Sequence, residues 1–513
     1  MEEKQLLEIW EIEDRDWLQT PVSVRHLVAG LGKEVEQLRQ EIQELRVAKE
    51  LLEEKVNRNC DNSSMAPSTD LNKPAKKKGK EKEQPRKKRG GQPGHRGHSR
   101  PLYPAQECDR LIDYYPQTCS CCGECLRGSD PNPYRHQVVE IPPIKLYIEE
   151  HRLHQLVCSY CGQKTRAALP EEVEASGYTE RVVAIVSLLS GMYRHSHRMV
   201  VSAMSDLFGV KMSVGSVNRL RTEASEGVAI PVTEAQAYVQ QQPIVGADET
   251  GFSQGNADGN NSQKKRAWLW VAVTPLVSFF SVMLSRSTEA AQELLGKNFG
   301  GILISDRYSA YNWLLVWQRQ LCWAHLKREF RKISDRSGVA GQLGKELLAE
   351  QKKLFQLWHR VRDGTLTRTE FRSLVSPIRE RVRNLLQQGA DYQIGSKEKT
   401  PLAKTVRTCR QLLKVESAMW LFVTVEGLEP TNNASERAIR PAVLWRRTSF
   451  GSQSEAGSLF VARMLTVVTS LRSQNRNVLE FMTDAIRAAR QGGSPPSLLP
   501  QSSSSTESKP LAA

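Results

Sequence analysis

Apolar positions recur along this chain in three rhythms, and each predicts a different kind of element. Between residues 31 and 56, Leu31, Val35, Leu38, Ile42, Leu45, Leu52 and Val56 fall on the a and d positions of a heptad, with Lys49 the one polar a residue. A lone helix needs no such seam, so the N-terminal segment 1–59 is expected to form a self-associating coiled coil; a helix packed on its own domain is the plainer alternative. A second rhythm starts after Thr179, an N-cap candidate, where Val182, Ile185, Val186 and Leu189 keep helical spacing. RMVVSAMSDLF, Gly209, Ser213 and VGSVNRLRTEAS then read as helix, turn, cap and helix. Residues 175–235 are therefore a helix-turn-helix candidate with Arg219 and Arg221 facing DNA, although an ordinary helical hairpin has the same pattern. His195 and His197, just before it, read as surface or capping residues.

From Pro243 the rhythm shortens. PIVGAD, AWLWVAVT and VSFFSVML predict three strands, STEAAQELLG a helix, GILISD a fourth strand and RYSAYNWLLVW another helix. Residues 331–424 read as a helical insertion, a further helical region begins near Asn433, 461–490 is a C-terminal helix, and 491–513 a disordered tail. The expected fold class is multidomain α+β: a coiled coil, a zinc-binding module and a helical DNA-binding region leading into a ribonuclease-H-like α/β catalytic core at 240–460.

Periodicity fails altogether in 60–103, a basic linker almost free of large apolar residues. Nine Lys or Arg residues lie between Lys76 and Arg89. Lys76, Lys77, Lys78, Arg86, Lys87, Lys88 and Arg89 are candidate phosphate contacts of an arm that tracks DNA without reading sequence. The net charge of +15 agrees with a polyanionic partner. No apolar run is long enough to span a bilayer and the N-terminus carries no secretory pattern, so a soluble, cytoplasmic, nucleoid-associated protein is expected. In that compartment the ten cysteines read as metal ligands or buried thiols.

Two pairs stand out within 104–168. Cys119 to Gly123 and Cys158 to Gly162 both read C-x-x-C-G, a knuckle in which two thiolates face one ion and the glycine allows the tight turn. Cys119, Cys122, Cys158 and Cys161 suit one tetrahedral structural Zn²⁺, with IKLYIEEHRLHQLV as a ribbon between the knuckles. Cys121 and Cys125 offer competing partners for Cys122.

The acidic constellation is more telling. Asp248 ends the first strand and Asp306 follows the fourth. Three strands, a helix and a fourth strand is the ribonuclease-H-like order, in which strands one and four are neighbours, so two carboxylates 58 positions apart can meet at one sheet rim. Glu436, in TNNASERAIRP, is the candidate third acid on a later helix, although an ion pair with Arg440 would account for it equally simply. Arg437, Arg440, Arg446 and Arg447 around it suit phosphate oxygens. Glu249 adjoins Asp248 but should point to the opposite face of its strand. In-line attack on a phosphodiester needs the attacking oxygen activated and the leaving oxygen stabilised. Two Mg²⁺ (or Mn²⁺) ions roughly 4 Å apart, held by carboxylates, do both.

With these residues in place the chain resembles the insertion-sequence-66 family of DDE-type transposases. The resemblance runs through the zipper segment, NSSMAPSTD, GGQPGHRGHSR, both C-x-x-C-G knuckles, GADETG, ISDRYSAY, CWAHLKREF, and NNASERAIRP followed by RRTSFGSQSEAG. It implies metal-dependent strand cleavage and transfer of a mobile element, with Asp248, Asp306 and Glu436 as the metal-binding triad, the four cysteines as a zinc site, and a bacterial source. Double-stranded DNA (element ends and target), a second copy through the coiled coil, and accessory proteins of the same element are the implied partners. His325 lies in one of the shared motifs, and positioning DNA and packing its helix are equally open roles for it. A zinc-containing dimeric DNA-binding regulator without catalysis is the alternative function.

Overall fold

The computed structural model describes residues 13–59, 61–63, 101–170, 173 and 177–500. The seven basic residues of the expected arm, Lys76 to Arg89, and residues 501–513 of the tail lie outside the described residues. The chain divides into two compact units, one of residues 75–149 and one formed by the rest. The expected zinc module, 104–168, therefore straddles a unit boundary.

The larger unit begins with α1 (Val22–Val56), a helix of 35 residues. Its heptad leucines stay exposed, with Leu45 at 68% and Leu52 at 59%, and Gly32 is its buried residue. Its C-terminal end is tied down by side chains of the helical region that follows the sheet. Glu54 accepts from Arg336 (3.0 Å) and Lys404 (2.5 Å), and Glu50 accepts from Ser337 (3.1 Å). Burial opposes the ionisation of Glu54, but the hydrogen bonds from Lys404 and Arg336 outweigh it and hold its carboxyl below the usual range.

Four helices follow: α2 (Glu180–Ser190), α3 (His197–Phe208), α4 (Val214–Gly227) and α5 (Ala229–Gln240). Gly209 closes α3 in the left-handed conformation at φ 70°, and the Ser213 hydroxyl caps α4 by accepting from the Ser216 N–H. The expected hairpin is present, but it is no separate domain. Val183, Val217 and Leu220 belong to one continuous core with Val245, Leu269 and Phe280 of the sheet.

The sheet contains β1 (Ile244–Phe252), β2 (Ala267–Val273), β3 (Ser278–Met283), β4 (Ile302–Ser305) and β5 (Arg319–Leu321), with α6 (Thr288–Leu295) between β3 and β4. Its order is β3-β2-β1-β4-β5; β1 to β3 are antiparallel, while β4 runs parallel to both β1 and β5. The first and fourth strands are thus neighbours, with Gly246 opposite Ile304.

Where a helix was expected over RYSAYNWLLVW, the chain makes 3₁₀ turns at Ser309–Tyr311 and Val316–Gln318 and then β5. Tyr311 and Leu314 are buried in the sheet's core whereas Leu321 and Trp323 enter a second core, so no single helical face could serve both. That second core belongs to the insertion: α7 (Trp323–Ser334), α8 (Gly338–Arg362), α9 (Arg368–Asp391) and α10 (Pro401–Lys414).

The chain then returns to the sheet as α11 (Asn433–Ser449), α12 (Glu455–Ser473) and α13 (Val478–Gln491). The expected single helix 461–490 is two, broken where Asn475 turns left-handed at φ 54° and Asn477 caps α13. On α12, Thr466 and Ser470 accept from the N–H groups of Phe280 and Ser278, each at 3.0 Å, which protects the free edge of β3. Residues 491–500, expected in the disordered tail, bury Leu498 and tie its N–H to Glu234. Among the described residues no helix is long and apolar enough to cross a membrane.

Candidate active site

Three chain segments meet at one end of the sheet. Asp248 lies on β1, Asp306 follows Ser305 at the end of β4, and Cys322 follows Leu321 at the end of β5. The Cys322 N–H donates to the Ser305 carbonyl, which keeps the last two strand ends side by side. Asp306 is aimed by its own turn, accepting from the Tyr308 N–H at 2.8 Å. His325 sits in the first turn of α7 and Glu436 in the first turn of α11, where carboxylates favour a helix N-terminus.

What carries Glu436 to the strands is the loop before it. The Asn432 side chain donates to the Ala247 carbonyl (2.7 Å) and its N–H to Cys322 Sγ (3.2 Å), while the Trp323 N–H donates to the Pro430 carbonyl. Gly246 makes this approach feasible, because a Cβ there would lie 2.5 Å from Ser435 Oγ. Gly246, Asn432, Ser435 and Cys322 are the positioning residues that sequence reasoning missed. The first three stand inside GAD and NNASE, and only the spatial meeting of those two motifs gives them meaning.

The acids feel one another. Asp248 is raised to about 8, first by burial and then by the charge of Glu249, with Asp306 and Glu436 adding to it against one hydrogen bond from the Glu249 N–H. Glu249 points elsewhere, as expected, and is an anchor. Its carboxylate takes two hydrogen bonds from Arg286 (2.5 and 3.1 Å) and one from the Tyr311 hydroxyl (2.7 Å). The Arg286 guanidinium also lies over the rings of Trp268 and Tyr308. Burial foremost holds His325 below its ordinary value, so its ring is neutral near pH 7.

Among the described residues four buried atoms here lack a hydrogen-bond partner, Glu436 Oε1, His325 Nδ1, Asn432 Oδ1 and Ser435 Oγ, and the first two lie 3.8 Å apart. Orphaned acceptors beside mutually repelling carboxylates are what a cation site leaves when only protein groups are considered, so the donor set fits divalent metal. Asp306, Cys322 and His325 line a cavity of about 240 Å³ that opens the site to solvent.

The other expected residues divide. The two knuckles repeat one geometry. Gly123 and Gly162 turn left-handed at φ 79° and 73°, and each donates its N–H to the carbonyl of the first cysteine at 2.9 Å. Backbone N–H groups from Cys122 and Cys121 hold the Cys119 thiol below its usual value, and those from Cys161 and Tyr160 do the same for Cys158. Of the expected ribbon, only Gln155–Val157 forms a strand, and it pairs with Lys164–Arg166 across the second knuckle.

On α11, Arg437, Arg440 and Arg447 are exposed, and their spacing of three and seven places them on one helix face. Arg446 instead donates to Thr250 Oγ1 (2.6 Å) and to the Gly251 carbonyl, so it fastens α11 to β1. Arg219 lies on the exposed side of α4. Arg221, expected to face DNA, turns inward with its guanidinium 4.2 Å from the Phe460 ring centre and against His197. Its helix spends that face on the core, and the half-buried guanidinium packs there instead of projecting outward.

Comparison with known proteins places the chain. A family of unknown function (DUF6444) matches residues 20–101. The uncharacterized protein y4hP of Sinorhizobium fredii is 22% identical over 407 residues, 74% of this chain and 72% of that protein. The uncharacterized protein y4qI of the same organism is 27% identical over 275 residues, half of this chain and 49% of that one. The model of the Transposase IS66 family matches residues 183–459, which contain the sheet, the insertion and all three acids. By that match, over more than half its length, the chain belongs to the IS66 family of transposases.

Proposed function

We propose that this transposase works by DDE chemistry on a ribonuclease-H-like core, with Asp248, Asp306 and Glu436 holding two Mg²⁺ (or Mn²⁺) ions. The observation that supports this most is the meeting of three separate segments: β1 with Asp248 runs beside β4, which Asp306 follows, and Asn432 ties the start of α11, with Glu436, to the Ala247 carbonyl. The β3-β2-β1-β4-β5 order supports the core assignment. A DNA-binding regulator has no use for such a gathering of acids at one sheet end.

Bound divalent ions supply activation of the attacking oxygen and stabilisation of the leaving one. The chain's own residues do the rest. Asp248 gives up its proton when a cation offsets the neighbouring charges. Gly246 and Asn432 keep Glu436 at the strands, and Glu249 with Arg286 keeps β1 in place. Arg437, Arg440 and Arg447 hold phosphates along α11, and Arg219 and the basic arm from Lys76 to Arg89 bind phosphates as well. Zinc in the knuckles and self-association through α1 complete the reading, and the protein acts where DNA is, at the nucleoid.

The test is cleavage of the element's end DNA by Asp248→Asn, Asp306→Asn and Glu436→Gln. Each should lose roughly 10³-fold or more of the rate while binding DNA in the absence of metal as well as wild type. An Asp306→Asn protein that cleaves at the wild-type rate would remove the assignment.

A further inference from the structure

We infer that Cys322, His325 and Glu436 form a site for a borderline divalent transition-metal ion of the Zn²⁺ or Co²⁺ type, which shares Glu436 with the carboxylate site but is not the same site. One ligand atom from each residue lies within 4.8 Å of the others, so a single ion can reach all three with small side-chain adjustments. Cys322 and His325 stand three positions apart at the start of α7, and Glu436 is brought in by α11. Two of the three groups carry buried atoms with no hydrogen-bond partner. The pair at 3.8 Å is too long for a hydrogen bond, so His325 and Glu436 do not satisfy each other.

The ligand types select the ion. Hard Mg²⁺ takes carboxylates and water, whereas a thiolate with an imidazole suits Zn²⁺ or Co²⁺. Three protein ligands leave one position open, and the cavity beside Cys322 and His325 gives an entry path. Binding displaces the Cys322 proton to solvent. It also leaves the remaining ring proton of His325 on Nε2, so Arg328, now 3.3 Å from that nitrogen, must turn away. An ion held here draws Glu436 from Asp248 and Asp306. That consequence rests on the proposed triad; the binding itself does not.

The experiment is equilibrium dialysis of the full chain against Zn²⁺ in excess Mg²⁺, with bound zinc counted by elemental analysis. Wild type should hold one zinc more per chain than Cys322→Ser or His325→Gln, while zinc in the knuckles contributes equally to all three and cancels. Losing a direct ligand should weaken the site by more than the roughly 10–100-fold that follows loss of an outer partner. Loaded with Co²⁺, wild type should show more thiolate-to-metal charge transfer than Cys322→Ser. Arg328→Gln should bind zinc at least as tightly as wild type. If Cys322→Ser fails to fold, His325→Gln decides. Equal zinc in wild type and the variants overturns the site. Cleavage by the same preparations separates the two readings: Mg²⁺-dependent cleavage with equal zinc contents overturns this site alone, and a zinc difference without cleavage by wild type overturns the catalytic reading alone.

Discussion

Gly246 on β1 lies directly under Ser435 on α11, so close that a methyl group on Gly246 would stand 2.5 Å from Ser435 Oγ and 2.8 Å from Asn432 Oδ1. The contact matters because α11 begins only three residues before Glu436, and Gly246 precedes Asp248 by two. A Cβ at Gly246 would therefore press on the segment that carries Glu436.

Gly246→Ala should therefore harm chemistry more than folding. Overpacking of this kind costs about 1–3 kcal/mol, which a domain with two extensive cores tolerates. A displacement of about 1 Å at Glu436 can cost 10²-fold in rate. The expected result is a modestly lowered melting temperature with cleavage down about 100-fold. A variant that melts earlier but cleaves normally would show that α11 adjusts without moving Glu436.

Much of this geometry was legible in the chain. The strand end at Asp306 and a helix start near Asn433 follow from apolar alternation and capping residues, both local signals. Asp248, expected to end its strand, instead lies mid-strand because β1 runs on to Phe252 along β2. The failures came where two cores compete for one segment. Tyr311 and Leu314 serve the sheet while Leu321 and Trp323 serve the insertion, so an apolar run that looks helical is split into turns and a strand. Arg221 shows the same limit: its spacing suits a DNA-facing helix, and only Phe460, 239 positions away, reveals that it packs against the core. Leu498 lies in a Ser- and Pro-rich stretch whose composition hides one buried anchor.

The knuckles predict a metal-dependent fold for the cysteine-rich region. Cys119 and Cys158 occupy equivalent places, each receiving backbone hydrogen bonds that favour the thiolate. Cys122→Ser should lose zinc as judged by elemental analysis, and Cys121→Ser should keep it. The opposite outcome would transfer the first knuckle to Cys122 and Cys125.

The exposed seam of α1 predicts assembly. Leu38 and Leu45 are half or more exposed on a helix whose C-terminal end is held by ion pairs of Glu54. An isolated apolar seam of this length gains stability by pairing with a second copy. Replacing both residues with Glu should lower the mass seen by light scattering and leave the melting of the catalytic core unchanged. Glu54→Gln should do the reverse, keeping the oligomer while loosening α1 from Arg336 and Lys404. If the double Glu variant keeps its full mass, the copies meet elsewhere.

The raised carboxyl of Asp248 makes stability depend on pH in a direction that can be worked out. Its ordinary value is 3.8, and burial, then Glu249, Asp306 and Glu436, lift it to about 8 in the folded chain. Between those values the folded state binds a proton that the unfolded state has released. Stability from this group is therefore complete below about pH 4 and is lost as pH rises toward 8, by at most about 1.4 kcal/mol per pH unit. Asn is nearly isosteric with protonated Asp and does not titrate. The metal-free Asp248→Asn protein should match wild type near pH 4 and become progressively more stable than it toward pH 8. Depressed histidines such as His325 titrate in both proteins and cancel in the difference. Millimolar Mg²⁺ should close the gap, since a bound cation favours the ionised acid that Asn cannot provide. Denaturant midpoints of the two proteins across that pH range, with and without Mg²⁺, decide the matter. Parallel curves would mean that Asp248 ionises freely, and that the three carboxylates do not crowd one another.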